Sequence, residues 1–548
     1  MKLLSAMTAL ALAISLNACG EAAPTQQQKQ AVEANPEAIR AHLEFLASDE
    51  LKGRDTGSIG HEIAAKYIAS EFKQMGLQPG GDNGTYFQRM PARKSYLVDR
   101  SASMIVHTDN GDVALEFPAD FTTGPSAFSE ADEVTAPMVF VGYGMVADEF
   151  GINDYEGLDV KGKIAVMVTG RPDDLPSEEG AHLNSIKDDL AAERGAVGII
   201  TIHTPQREKV RPYKSSLIYT KLPRMHWLDA EGKPHGVHES LLGTAYVDSK
   251  PAQQLFVNAE QSLDSVFEQL AEGQSPKGFE LNASVTLSRK SRHEELTSPN
   301  VAAILPGSDE SLADEYVLYT AHADHIGVSQ DLSSDDNINN GAMDNAAGVS
   351  VMLETARMFV DAGQAPRRSI MFLAVTAEEK GLLGADYFAN NPTVPLHSIV
   401  ANVNLDMPVL LYDFADVIAF GANHSSMGDT VAKAAGKFDI KLSPDPMPEQ
   451  AIFTRSDHYT LVKKGIPAVF LMTGFTSKNE DEDGGEVWGK FFAEHYHRPS
   501  DQPSLPINYD AGAVFTDINY EIGKEVANAD ERPHWLADSF FGKTFGGQ

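Results

Sequence analysis

The chain has 548 residues, 42% of them hydrophobic and 22% charged, with a formal net charge of −34. Such a length exceeds what one small core holds and predicts two domains. The acidity excludes nucleic-acid binding, which needs basic surface to neutralise phosphates, and fits solubility and self-repulsion.

Taken in chain order, the first residues read as an address. "MKLL" supplies a positive charge, "AMTALALAISL" is apolar but too short to span a bilayer, and "NACG" follows. The pattern, residues 1–19, resembles a bacterial lipoprotein signal with a lipid on Cys19; the alternative is a plain secretory signal cleaved nearby. The expectation is an exported protein of the bacterial cell envelope, facing the periplasm or outside and touching membrane only through that lipid. Cys19 is the one cysteine, so no internal disulfide is expected. Residues 20–35 are polar and read as a flexible tether.

Residues 36–99 carry two helical patterns around a glycine-rich turn. Ile63, Ala64, Tyr67, Ile68 and Phe72 recur at helical spacing, and Gly76 is placed to cap the second helix. From 100 to 288 the runs shorten. "SASMIVHT", "APMVFVGYG", "KGKIAVMVTG" and "AVGIITIH" are strand-like, with one helix, "LNSIKDDLAAERG", between two of them. This segment reads as a β-rich insert.

Residues 289–548 alternate strand and helix. "NVAAILPG", "EYVLYTAHADHIG", "RRSIMFLAVTA", "SIVANVNLDM", "DVIAFGA" and "IPAVFLMTG" are candidate strands. "NAAGVSVMLETARMFVDAG", "LGADYFANN" and "MGDTVAKAAGKF" are candidate helices. The alternation predicts an α/β fold with a mostly parallel central sheet flanked by helices, and a crevice beyond the carboxyl ends of the strands.

Those ends carry an unusual set of side chains: His322 and Asp324, Asp344 before a helix, Glu378 and Glu379, Asp406, and His497 in a loop. Alone, an aspartate before a helix is an N-cap and a histidine a packed residue. Together, two histidines and three carboxylates exceed a single catalytic zinc site and suit two metals sharing a bridging carboxylate. Metal charge would also offset the repulsion between the adjacent Glu378 and Glu379.

"HADHIG", "NGAMDNAAG", "TAEEKGLLG", "NLDM" and "YHRPSD", in this order, with "SDELKGRDTGSIG" near the N-terminus, resemble the co-catalytic zinc exopeptidases. That family includes bacterial leucyl aminopeptidases, glutamate carboxypeptidases, glutaminyl cyclase and transferrin receptor. The 100–288 segment resembles the protease-associated domain inserted in several of them, either shaping the cleft or purely structural. The resemblance implies two zinc ions: His322 and Asp406 on one, Glu379 and His497 on the other, Asp344 bridging. Asp324 would orient the His322 imidazole, and a cis bond would join Asp344 to Asn345. Glu378 would be the general base. Tyr496 would stabilise the oxyanion or only pack. Asp457 and His458 would line the cleft or serve structural hydrogen bonds.

The implied activity is hydrolysis of N-terminal residues from peptides. Only Arg455 and Arg498 stand beside motif residues, and a carboxypeptidase usually holds its terminal carboxylate with arginines. A carboxypeptidase or dipeptidase of the same fold is the alternative, with a non-catalytic receptor-like lipoprotein behind it; glutaminyl cyclases normally lack the insert. The Asp/Asn-rich loop at 331–345 does not match an EF-hand and reads as an exposed acidic loop rather than a calcium site. The last long helix is expected to pack on the sheet or, with the tail, to make a subunit contact.

Overall fold

The computed structural model describes residues 32–329 and 336–547. The signal, Cys19 and nearly all of the tether lie outside them, as do 330–335 of the acidic loop.

Helix α1 (Pro36–Leu46) starts on the side chain of Asn35, which accepts from the Glu37 amide, with proline at the first turn. Helix α2 (Ile59–Gln74) starts on Ser58, whose hydroxyl accepts from the His61 amide. Its buried stripe is Ala64, Ala65, Ile68, Ala69 and Phe72, whereas Ile63 is 40% exposed. Small alanines, rather than the larger Ile63, let this helix approach the sheet closely. Between the helices Arg54 turns inward through a run of positive φ at Lys52, Gly53 and Arg54.

Strand β1 (Phe87–Leu97) is followed by β2 (Ser103–Thr108), β3 (Ala131–Phe140), β4 (Ile164–Val168), β5 (Gly198–Ile202) and β6 (Gly243–Val247). Strands β3, β4, β5 and β6 pair in parallel, in that order. Beneath them Met104, Val134, Phe140, Val166, Ile200 and Val247 share a core drawn only from residues 104–287. The single helix expected over 183–195 is two, α3 (Ser177–Ser185) and α4 (Lys187–Glu193), which meet at Ile186.

Strand β7 runs unbroken from Phe279 to Leu305, where the sequence predicted a strand only from Asn300. Its first half pairs with β2 and β3, its second with β1 and with β9 (below), so one strand belongs to both regions. The middle, "SRKSRHEELTS", is polar because much of it is open to solvent, which erases the alternation a sequence reader looks for.

The second sheet adds β8 (Tyr316–His322), β9 (Ser369–Val375), β10 (Ile399–Leu405), β11 (Asp416–Phe420) and β12 (Ala468–Thr473), in spatial order β7, β9, β8, β10, β12, β11. Four central strands are parallel and are flanked by β7 and β11, which pair with them antiparallel; a short strand, Lys441–Ser443, pairs in parallel on the far side of β11. On one face Leu318, Met371, Leu373 and Phe388 pack together. On the other Tyr319 stacks on Phe372 at 5.4 Å, and its hydroxyl donates to the Asn519 carbonyl. Each such burial contributes about 1.5–3 kcal/mol.

Helix α5 (Gly348–Asp361) and the C-terminal α7 (Tyr509–Asn528) cover that second face, and α6 (Leu383–Asn390) covers the first. The tail forms α8 (Phe540–Phe545), whose Phe541 is buried against His182 and His424 within the chain. Among the described residues no helix is long and apolar enough to cross a membrane.

Candidate metal centre

The parallel strands end together. His322 is the last residue of β8, and Asp406 follows β10 directly. The His322 Nδ1 donates to the Asp324 carbonyl oxygen at 3.1 Å. This aims Nε2 at Asp344 Oδ1 and Asp406 Oδ1, each 3.2 Å away. The other Asp406 oxygen accepts from the Ser456 hydroxyl at 2.6 Å. Ser456 is held in turn by Asn404, and Asn404 by Thr320.

Asp344 sits in a wide turn, Ala342–Ala347, that leads into α5. The amides of Met343 and Asp344 donate to the two carboxylate oxygens of buried Asp501 at 2.9 and 3.1 Å. The Asp344–Asn345 bond is cis, as the resemblance implied. Asn345 ties the turn to β10, donating to the Leu405 carbonyl and accepting from Gly348 and Met407 amides. Only glycine fits at 348, because a Cβ there would stand 2.4 Å from the Leu405 carbonyl oxygen.

Asp344 faces two ways. Its Oδ2 lies 3.1 Å from His497 Nε2, and that nitrogen lies 3.2 Å from Glu379 Oε2. The other Glu379 oxygen is 2.7 Å from Nδ1 of His325, a fully buried residue. Donor atoms of His322, Asp344 and Asp406 lie within 4.8 Å of one another, and so do those of His325, Asp344 and Glu379. Buried imidazole nitrogens and carboxylate oxygens with no thiolate suit zinc. The donor set fits two ions.

Glu378 is set apart. Its amide donates to Asp324 Oδ1, and its carboxylate lies 3.9 Å from His322 Nε2. It lines a cavity of about 40 Å³ together with Asp344, Asp406 and Tyr496. The environments drive the adjacent glutamates apart. Burial, reinforced by Asp406 and Glu379 and opposed by His322, holds Glu378 well above the carboxylate range. Burial works against Glu379 as well, but His497 and His325 hold it well below. Two neighbouring carboxyls thus take opposite protonation preferences. Ala377, Met407 and His497 adopt φ of 57°, 42° and 58° beside or within these motifs. Each left-handed non-glycine costs about 1–2 kcal/mol, and such strain clusters at functional sites.

Other expected residues fall differently. The Asp324 carboxylate does not hydrogen-bond the His322 ring, from which it is 4.0 Å away; it accepts from the Thr56 hydroxyl and the Glu378 amide. The backbone carbonyl orients the imidazole instead, while the side chain seats Glu378. Asp457 and His458 are fully buried, with side-chain N and O atoms that make no hydrogen bond. Neither lines the cavity, so neither expected role describes them. Burial pushes Asp457 up to about 8. Tyr496 both packs, stacked on His497 at 3.9 Å, and reaches the cavity wall; burial pushes its phenol up to about 12. Arg455 joins it on that wall, whereas Arg498 is exposed. In the acidic loop Asn339 and Asn340 are buried rather than exposed, Asn340 donating to Ala47 and Asp49.

Three contributors were missed: His325, Asp501 and Arg54. The first two stand inside quoted motifs, three residues after His322 and at the end of "YHRPSD". Arg54 is 2% exposed, and its guanidinium donates to the carbonyls of Leu46, Ala323, Asn340 and Gly341. The 100–288 region also touches the site's wall. Arg171 donates to the Pro448 carbonyl and Ser177 to Asp445, in the loop that carries Ile452 and Arg455 into the cavity.

The chain is 27% identical over 241 residues to leucine aminopeptidase 2 of Trichophyton rubrum, covering 42% of this chain and 45% of that protein. It is 34% identical over 146 residues to aminopeptidase NAALADL1 of Mus musculus, covering 26% and 18%. The chain thus spans less than half the length of these curated relatives. It shares its fold with the aminopeptidase from Aneurinibacillus sp. strain AM-1, at 20% identity and TM-score 0.52, over 91% of this chain and 96% of that one. Residues 300–522, which hold His322, Asp344, Glu379, Asp406 and His497, match the model of peptidase family M28.

Proposed function

We propose that the protein is a zinc aminopeptidase that removes N-terminal residues from peptides, with two zinc ions per chain. The observation that carries this reading is Asp344, which turns one oxygen to His322 and the other to His497. His322, Asp406 and Asp344 would hold one ion; Glu379, His497 and Asp344 would hold the other. His325 would steady Glu379 from behind. When bound, the ions polarise the scissile carbonyl and acidify the attacking water.

The chain's own groups do the rest. Glu378 takes a proton from the water and returns it to the leaving amine. Asp324 holds the Glu378 backbone so that the carboxylate stays on the cavity wall. The Tyr496 hydroxyl donates to the carbonyl oxygen as charge gathers there. Met407, Ile452, Phe470, Met472 and Phe492 complete the wall beside the carboxylates. A free ammonium next to an apolar side chain matches such a wall, which favours N-terminal residues with apolar side chains.

The test is a peptide with both ends free, followed by mass spectrometry with and without chelator. Loss of residues from the N-terminus, blocked by chelator and by N-acetylation, supports the reading. Loss from the C-terminus would make Arg455 a carboxylate anchor and the protein a carboxypeptidase. Lipid attachment at Cys19 and an envelope location belong to the same proposal. They predict that Cys19→Ser moves the protein from the membrane to the soluble fraction.

A further inference from the structure

We propose that Arg455 is a positioning residue for Tyr496, setting the direction in which the phenol donates its proton. The inference rests on the aminopeptidase reading and deepens it.

The Arg455 guanidinium donates through Nη2 to the Tyr496 oxygen at 3.1 Å, and both side chains line the cavity that holds Glu378, Asp344 and Asp406. The tyrosine ring cannot swing away. It stacks on His497 with centroids 3.9 Å apart and meets Phe492 edge-on at 5.1 Å. What stays free is rotation of the O–H bond. A phenol has one proton to give and lone pairs to receive with. Arg455 occupies a lone pair, and among the described residues Tyr496 donates to no protein group. The proton is therefore left for the cavity, where the carbonyl oxygen of a bound peptide would gather negative charge.

Arg455 is suited to this. The guanidinium's one other hydrogen bond is a 3.5 Å contact to the Gln450 carbonyl, and among the described residues it pairs with no carboxylate. Its charge is thus not spent on an ion pair, and a cation on the phenol oxygen makes the O–H a stronger donor. The planar fork keeps that contact directional, which a lysine ammonium would not. No bond is made or broken by either group, and no proton is transferred between them.

The experiment is a double-substitution cycle with a leucyl peptide, using Arg455→Met, Arg455→Lys, Tyr496→Phe and the Arg455→Met/Tyr496→Phe pair. Zinc content and thermal midpoint are measured for each, so that misfolding is recognised. Tyr496→Phe is expected to lower kcat about 100-fold, the scale of one oxyanion donor. Arg455→Met should lower kcat about 10-fold with KM changed less than about twofold, Arg455→Lys should recover part of it, and the pair should be no slower than Tyr496→Phe alone. Affinity for a phosphinic dipeptide, which carries tetrahedral oxygens, should fall in the same non-additive pattern. That binding readout stands even if the wild type cleaves no free-amine peptide, an outcome that would sink the aminopeptidase reading and not this one. Multiplying losses in the pair, or a rise in KM at constant kcat in Arg455→Met, would overturn the positioning role.

Discussion

Replacing Arg54 by methionine keeps the length of the side chain and removes every donor from a buried guanidinium. Four backbone carbonyls lose this donor: Asn340 at 2.7 Å, Gly341 at 3.0 Å, Ala323 at 3.1 Å, and Leu46; Gly341 still accepts from the Ala346 amide. An orphaned buried acceptor costs about 1–3 kcal/mol, so the other three at the low end cost about 3 kcal/mol. Against this, the variant no longer holds a desolvated cation, whose strain is visible in a pKa pulled by burial down to about 10. The net expectation is a loss of about 2–3 kcal/mol. Function should suffer too, because these carbonyls belong to the segments that present His322, His325 and Asp344. Zinc affinity should fall about 10–100-fold, as it does when outer supports of a metal site are removed. Urea unfolding of metal-free wild type and variant gives the first quantity, and zinc competition against a chelator gives the second. Arg54→Lys should recover part of both. A methionine variant that loses less than about 1 kcal/mol and keeps wild-type zinc affinity would refute the reasoning.

Glu378→Gln should retain zinc and lose about 100- to 10,000-fold in kcat, the range for a general base; metal analysis beside the assay separates this from loss of a ligand. Asp344→Ala should lose both ions together, and retention of either at full occupancy would remove the bridging role. His182 gives a pH prediction. Its Nδ1 lies 2.7 Å from the Tyr459 hydroxyl, and burial, aided by Lys463, pulls the imidazole down to about 4. The unfolded imidazole titrates near 6.5, so between pH 6.5 and 4 the unfolded chain binds a proton that the folded chain refuses. Stability is therefore full above about pH 6.5 and falls towards pH 4, by about 3 kcal/mol from this group. Urea midpoints across that range should show a shallower slope for His182→Gln than for the wild type.

Much of the centre was legible because its candidate ligands follow apolar runs directly. "YVLYTAH", "MFLAVTAEE" and "NVNLD" each carry a parallel strand and its terminal candidate ligand in one stretch, so period and position coincide. His325 was on the page but lacked a separate signal, since a histidine beside a motif is usually packing. Arg54 and Asp501 were illegible for another reason. Each acts through backbone groups, on segments that only the fold brings near, and a carbonyl leaves no mark in a sequence. The same limit explains Asp324, where the orienting group proved to be its own main chain rather than its carboxylate. Strand β7 hid its first half because a strand shared by two sheets, wet along much of its middle, shows neither a continuous apolar run nor clean alternation. Ile63 shares the helical spacing yet stays exposed, because alanines make the contact.

The central claim is that one carboxylate joins two metal sites, and anomalous scattering at the zinc edge from crystals of the zinc-loaded protein tests it most directly. Two peaks are predicted, one between Asp344, His322 and Asp406, the other between Asp344, Glu379 and His497. A single peak, or zinc bound away from Asp344, would contradict it.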